Sequence, residues 1–288
     1  MNLEDNSVCV IVRAYNAASY ISECLLSLKN QTYQFGIFVK ILYDKGSTDN
    51  TQQALQELDF LHLNSQNRHF EIVEHENLSP FRSLFNYGLE KFAGKYSYYA
   101  ILDYDNYYSQ DYIRLAVKQL NDSDCHFLYS LPKFVDSYKN EIPATYKTPS
   151  PSSLLKYRIL LGNFIDASTI FMTALCLDLV LAKTRALRSR TFDWIFEDWI
   201  IGALALNQCN SCLLPNSNVY YRIHDTNTTY NNIKSNQNGT NFNRNVLSIS
   251  ALTLLFKDNL ISRIFCIITI FKLWIGSLIQ DKMAYDSS

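Results

Sequence analysis

Asp103 and Asp105 close the run Ile101-Leu102-Asp103-Tyr104-Asp105-Asn106, an apolar strand ending in two carboxylates spaced i, i+2. Alternate strand residues project to one face, so both carboxylates are expected to point at one spot. Two hard oxygen ligands at a strand end suit Mg²⁺ or Mn²⁺, which keeps several waters and binds phosphate as well. A solvated acidic turn has the same spelling, so the neighbouring elements must decide between the two. A second acidic pair, Glu197-Asp198, opens an apolar helical stretch over 194–206. There the plain structural role is charge complementing the helix dipole.

The elements that position these groups can be read from the hydrophobic pattern. Residues 8–14 form a near-continuous apolar run, the pattern of a buried parallel strand. Ser19 is placed to cap a helix carrying Ile21, Leu25 and Leu28 at helical spacing. Strands follow at 38–43, 70–74 and 98–102, with helices at about 50–58 and up to Phe92, where Gly94 supplies the stop. Strands alternating with helices imply a parallel sheet, whose ligands bind beyond the carboxyl ends of the strands. Asp44 and the Asp103/Asp105 pair lie at those ends.

The remainder is less regular. Residues 132–151 hold four prolines and read as a surface excursion. A strand is expected at 219–224, and 225–245 is a long Asn- and Thr-rich loop, either disordered or a functional lid. The tail over 246–283 is helical, but Arg263 and Lys272 interrupt it and leave no uncharged stretch long enough to span a bilayer. Leu260, Ile264, Ile267, Phe271, Ile275 and Leu278 share one face, with Ser262, Thr269, Gly276 and Gln280 opposite. Such a helix either lies in a membrane interface with its cations at the headgroups or packs on the main domain.

Composition excludes some functions. A chain of 288 residues can bury a full core, and a formal charge of −1 provides no basic stripe for a nucleic-acid backbone. The seven cysteines are odd in number and scattered through apolar segments, as in a reduced cytoplasmic protein. Cys209 and Cys212 have C-x-x-C spacing, but no second pair follows at zinc-site distance. The start, Asn2 to Asp5, enters a strand at once, so no signal peptide is expected.

Taken in order, the motifs resemble family-2 glycosyltransferases, the inverting group with the GT-A nucleotide-sugar fold. Val10-Ile11-Val12-Arg13-Ala14-Tyr15-Asn16 resembles the family's opening strand and its Tyr-Asn turn. Tyr20-Ile21-Ser22-Glu23-Cys24-Leu25, Ser27-Leu28 and Gln31-Thr32-Tyr33 resemble its first helix. Asp44-Lys45-Gly46-Ser47-Thr48-Asp49-Asn50-Thr51 is similar to its acidic turn, with Lys45 in place of a second aspartate. Asn77, Asn86, Gly88, Ala93 and Gly94 lead to Asp103 and Asp105 as in the family; Glu197-Asp198 and Tyr221-Arg222-Ile223-His224 with Asn227 resemble its later motifs.

The resemblance implies a mostly parallel central sheet flanked by helices over 1–235, with a helical C-terminal appendage over 236–288. It implies transfer of a sugar from a nucleotide-diphospho-sugar to a hydroxyl of a glycan or lipid-linked acceptor, in cell-surface polysaccharide or lipopolysaccharide assembly. Asp105 would hold Mn²⁺ or Mg²⁺, with Asp103 beside it on the ion or the ribose and His224 as a further ligand. Asp198, or Glu197 if the alignment slips by one, would be the base, kept ionised by the helix start. Asp44 and Tyr15 would line the nucleotide pocket, and Arg82 and Arg222 would contact the diphosphate. Lys45 cannot accept a hydrogen bond from a base imino group, which leaves the nucleotide open. The location implied is cytoplasmic, either free or peripheral on the cytoplasmic face of the inner membrane. A catalytically lapsed fold that binds sugars or nucleotides is the alternative. A nucleotidyltransferase would need a glycine-rich loop after the first strand, where Arg13 to Ala18 contains no glycine.

Overall fold

A computed structural model describes residues 4–58, 63–143, 149, 152, 154–187, 192–225, 227 and 238–286. The chain opens with β1 (Glu4–Ala14), α1 (Ile21–Lys29), β2 (Ile37–Asp44), α2 (Thr51–Glu57) and β3 (Arg68–His75). Helix α3 begins at Pro80–Arg82, widens into a π-helical turn over Ser83–Leu89 and closes at Glu90–Phe92. Next come β4 (Tyr96–Asp103), β5 (Tyr107–Tyr108), α4 (Tyr112–Asp122), β6 (Phe127–Val135), β7 (Phe171–Thr173) and α5 (Ala174–Thr184). The chain continues through α6 (Glu197–Gln208), β8 (Ser211–Arg222), α7 (Asn238–Leu255) and α8 (Leu260–Asp286).

Val8 to Val12 are completely buried because β1 lies in the middle of the sheet and is covered on both faces. It pairs in parallel with β2 and β4, and β3 extends the sheet in parallel beyond β2. The strand order among the described residues is β3-β2-β1-β4-β7-β6-β8-β5. Strands β6 and β8 are also parallel, whereas β7 runs antiparallel to β4 and β6, and β5 antiparallel to β8. The expected sheet, mostly parallel and flanked by helices, is therefore present. Strand β7 escapes sequence reading because three residues carry too little periodicity.

Strand alternation divides the core between the two faces. Val8, Val10 and Val12 pack with Ile21, Leu25 and Ile41, while Cys9 and Ile11 pack with Leu42, Leu84 and Phe85. Gly88 marks the closest approach of α3 to the sheet, where a Cβ would stand 2.9 Å from Ile11 Cγ2. Gly94 takes φ +72° and stops the helix as expected.

Several boundaries differ from the sequence reading. Ser19 does not cap α1; Tyr20 is the N-cap residue without a side-chain bond, and the Ile21 amide donates to the Ala17 carbonyl. Helix α6 starts at Glu197 rather than Trp194, which is exposed, and β8 starts at Ser211 rather than Val219. Cys209 and Cys212 face different neighbours, Cys176 and Cys125, so the C-x-x-C spacing does not converge on one site. The excursion over 132–151 is in part β6, and 144–148, 150 and 151 lie outside the described residues. The long loop ends at 238, where α7 begins; 226 and 228–237, and with them the lid reading, lie outside the described residues.

The tail is two helices. Helix α7 packs on α6, and α8 packs on the turn Ile159–Leu161. Thr269 Oγ1 donates to the Leu160 carbonyl at 2.8 Å, and Ser262, Cys266 and Thr269 are buried. Leu260, Ile261, Ile264, Ile267, Ile268 and Phe271 are 47–70% exposed. The two predicted faces are real over 260–271, and the small and polar one turns inward, the reverse of a helix bathed in water. Ile275, Gly276, Leu278 and Gln280 lie outside the described side chains. No helix among the described residues is long and apolar enough to cross a membrane.

Candidate functional site

The carboxyl ends of β1, β2 and β4, the start of α6 and the end of β8 supply the site residues. Strand β4 ends at Asp103, and the Asn106 amide donates back to the Asp103 carbonyl at 3.0 Å, turning the chain. Asp105 therefore lies in a turn, and strand alternation no longer aims it with Asp103. The two carboxylates take different hydrogen-bond partners, while the Asp105 charge still helps to raise the Asp103 pKa. Asn106 is the buried hub of this turn: its Nδ2 donates to Ser168 Oγ at 2.8 Å and its Oδ1 accepts the Arg222 amide at 2.9 Å. Ser168 Oγ also accepts the Asp103 amide at 3.2 Å.

Asp105 Oδ2 accepts from Asn227 Nδ2 at 3.0 Å and lies 3.0 Å from His224 Nε2. Asn227 fixes the His224 backbone in turn, its Oδ1 accepting the His224 amide at 2.5 Å. Arg222, expected on the diphosphate, is only 2% exposed and faces inward. Its guanidinium donates to Glu23 at 2.5 Å and to the Asp105 and Ser137 carbonyls, and it stacks over Tyr20 and Tyr107. It buttresses the Asp105 turn from beneath.

Asp103 Oδ1 accepts from Arg13 Nε and Nη2, each at 2.6 Å, and Arg13 Nη1 donates to Glu197 Oε1. Burial alone would lower the Arg13 pKa, but the Asp103 and Glu197 carboxylates outweigh it and raise it. Burial raises the Asp103 pKa, with Arg13 pulling it the other way. Glu197 is buried, and Asp198 is half-buried with its Oδ1 accepting the Trp199 amide at 2.7 Å. Burial first and the Glu197 charge second push Asp198 up to about 7. Position at a helix start was expected to keep it fully ionised; desolvation wins over the dipole here. Asp166, unmarked by any sequence signal, is also raised well above the usual range, by burial and then by Asp103 and Asp198.

Helix α7 fixes the approach to α6. Phe196 N donates to Ser248 Oγ at 2.8 Å, and Arg244 donates to the Trp194 and Ile195 carbonyls while stacking on Phe196. Arg82 reaches the same segment, pairing with Asp193 at 2.5 Å.

Asp44 is buried, and its Oδ1 accepts the Gly46 and Asn77 amides at 2.8 and 3.0 Å. Its Oδ2 faces His75 Nδ1 at 3.7 Å, and His75 Nε2 meets Ser83 Oγ at 2.7 Å. Burial lowers the His75 pKa, with Asp44 opposing. The Lys45 side chain is exposed. Asn16, at φ +49°, accepts the Thr48 amide at 2.8 Å and so joins the first-strand turn to the Asp44 turn, leaving Tyr15 exposed on the rim.

The sequence reading missed Arg13, Asn106, Asp166, Ser168 and Arg244. Arg13 alone had a legible signal, a charge closing the apolar run from Val8 to Val12.

Known proteins agree with this architecture. The family model described as glycosyl transferase family 2 matches residues 9–175, more than half of the chain. An uncharacterized glycosyltransferase of Haemophilus influenzae is 35% identical over 117 residues, 41% of this chain and 33% of that protein. Glycosyltransferase GlyA of Streptococcus pneumoniae is 32% identical over 120 residues, 41% of this chain and 16% of that protein. The matched segment thus spans a third or less of these relatives' length. The crystal structure of S. aureus TarS 1-349 in complex with UDP superposes with a TM-score of 0.57 at 18% identity, covering 86% of this chain and 65% of that one. Mannosyltransferase PcManGT from Pyrobaculum calidifontis, in complex with GDP-Man and Mn²⁺, gives 0.56 at 14% identity, covering 98% and 80%. At such identities these structures establish a shared fold, the GT-A arrangement.

The Asn106 hub is testable by stability. Asn106→Leu leaves the Arg222 amide and Ser168 hydroxyl without their buried partner, and is expected to cost about 1–3 kcal/mol. The loss should be read as a lower denaturant midpoint with an unchanged slope.

Proposed function

The chain belongs to glycosyl transferase family 2, and we propose that it moves a sugar from a nucleotide-diphospho-sugar to an acceptor hydroxyl with inversion at the anomeric carbon. The observation that carries this reading is Asp198, a half-buried carboxylate at the start of α6, near enough to Asp103 to feel its charge and pushed up to about 7 by burial and by Glu197. A base matched to the working pH is what deprotonation of a sugar hydroxyl requires. Asp198 takes the proton as the acceptor oxygen attacks the anomeric carbon, and the opposite C–O bond breaks to release the nucleoside diphosphate. We assign the base role to Asp198 rather than to Glu197, which Arg13 and Arg244 enclose.

Charge grows on the leaving diphosphate, and a divalent ion would supply Lewis-acid neutralisation there. Asp105 and His224 fit one: carboxylate and imidazole face each other at 3.0 Å, a donor pair suited to an ion such as Mn²⁺. No group of three or more such ligands is assembled among the described residues, so phosphate and water would complete its coordination. Asp103 would serve the ribose, Asp44 and Tyr15 the base, and Arg82 the diphosphate. The lapsed-fold alternative gives no reason for Asp103, Asp105 and Glu197 each to be held by side-chain partners at the strand and helix ends.

The acceptor we favour is a glycan or lipid-linked sugar in surface-polysaccharide or lipopolysaccharide assembly at the cytoplasmic face of a membrane. Its support is the outward apolar face of α8, rimmed by exposed Lys257, Arg263 and Lys272, which complements an anionic lipid surface. The seven free thiols suit a reducing compartment. We place the domain boundary near 235, with α7 and α8 forming the C-terminal extension.

Calorimetry with UDP, dTDP, GDP and CDP, with and without Mn²⁺, should show one metal-dependent binder that Asp105→Ala loses; binding to none of them overturns the reading. With that nucleotide's sugar, transfer should rise with pH through about 7 as Asp198 ionises and then level off. Asp198→Asn should lower the rate about 10²–10⁴-fold without weakening nucleotide binding, and abolish that pH step. In flotation, the protein should co-migrate with phosphatidylglycerol vesicles and less with neutral ones, and Ile264→Glu/Phe271→Glu should stay behind. Equal flotation of that variant refutes the membrane contact.

A further inference from the structure

Arg13 stands where the fully buried run Val8–Val12 of β1 meets the carboxylates. The parallel register of β1 and β4 sets it directly beside Asp103. Its planar fork donates to Asp103 on one side and to Glu197 on the other, joining β1, β4 and α6 through one cation. The Arg13 side chain keeps 22% of its exposure, whereas that of Glu197 keeps 6%. Glu197 Oε2 is buried and makes no hydrogen bond; Arg244 Nη2 stands 3.8 Å from it. Two carboxylates that flank one gap, Glu197 nearly shut off from water and Asp103 partly so, repel each other unless a positive charge lies between them. A lysine ammonium is a point charge without the planar fork that spans both sides.

We propose that Arg13 is the resident cation of this carboxylate cluster, a positioning residue that occupies the Asp103–Glu197 gap and keeps divalent ions out of it. With Arg13 in place, Asp103 and Glu197 are fixed before any substrate arrives, and an ion is confined to the Asp105–His224 side. Anchoring Glu197 also fixes its neighbour Asp198 at the start of α6. The catalytic consequence rests on the transferase reading above; the ion exclusion does not, and it is measurable without turnover.

The test uses the whole chain, stripped of metal, as wild type, Arg13→Met, Arg13→Lys and Arg13→Met/Glu197→Gln. Removing the cation should lower the melting temperature of Arg13→Met by roughly 5 °C or more. Millimolar Mn²⁺ should restore most of that loss while moving wild type little, because the ion now fills the vacated place. By calorimetry without nucleotide, Arg13→Met should bind Mn²⁺ about tenfold more tightly than wild type, or better. Glu197→Gln in the same background should remove the gain. Arg13→Lys should lie between, and its gain carries the test if Arg13→Met does not fold. A purely structural arginine would lower the melting temperature with no Mn²⁺ rescue and no gain in affinity, and that result overturns the proposal. Failure of wild type to bind any nucleoside diphosphate would strike the transferase reading and leave the Mn²⁺ comparison standing.

Discussion

The parallel pairing of β1 with β4 is the constraint on which the rest of the site depends. It brings Arg13 beside Asp103, and through Arg13 it reaches Glu197 on α6, far along the chain. A central strand with no exposed face cannot slip by one residue without turning apolar side chains into the wrong cluster. The register is therefore fixed by the core, and the site inherits its precision from hydrophobic packing. The charges add little freedom of their own, because each carboxylate is held by a group whose own position is fixed.

Around that seam the protein sets unlike environments for neighbouring carboxylates. Glu197 is enclosed between two arginines, whereas Asp198 keeps partial exposure and is raised by burial and by the Glu197 charge. Asp105 is turned away toward His224 and Asn227, supported by Asn106 and by the inward-facing Arg222. Side chains adjacent in sequence thus differ in surroundings: Glu197 is buried, whereas Asp198 stays partly exposed. The C-terminal helices belong to this scheme. Arg244 and Ser248 of α7 hold the segment entering α6, so the extension also serves the site.

Much of the fold was legible in the chain. The run at Val8–Val12 announced the central strand, the alternation of elements announced a parallel sheet, and Gly94 announced a helix stop. The amphipathic faces of the tail were also legible, as Leu260, Ile264, Ile267 and Phe271 opposite Ser262 and Thr269 show. The direction in which that helix faces was not, because periodicity separates two faces and cannot say which one meets the protein. Short elements such as β7 were invisible for lack of periods to count. Arg222 shows another limit: an arginine spelled like a phosphate ligand is buried against Glu23.

By itself, the sequence determined which residue types stand at which strand ends, and so the family, the layered sheet and the list of carboxylates. Local spacing and the hydrophobic pattern carry that information, since both act between near neighbours. Only the tertiary structure decided which carboxylate each cation meets, that burial pushes Asp198 up to about 7, and that Asp103 and Asp105 take different hydrogen-bond partners. Those outcomes depend on desolvation and on partners brought from Arg13, Asp166, His224 and Arg244 by the closing of the fold. No local rule reaches across such separations.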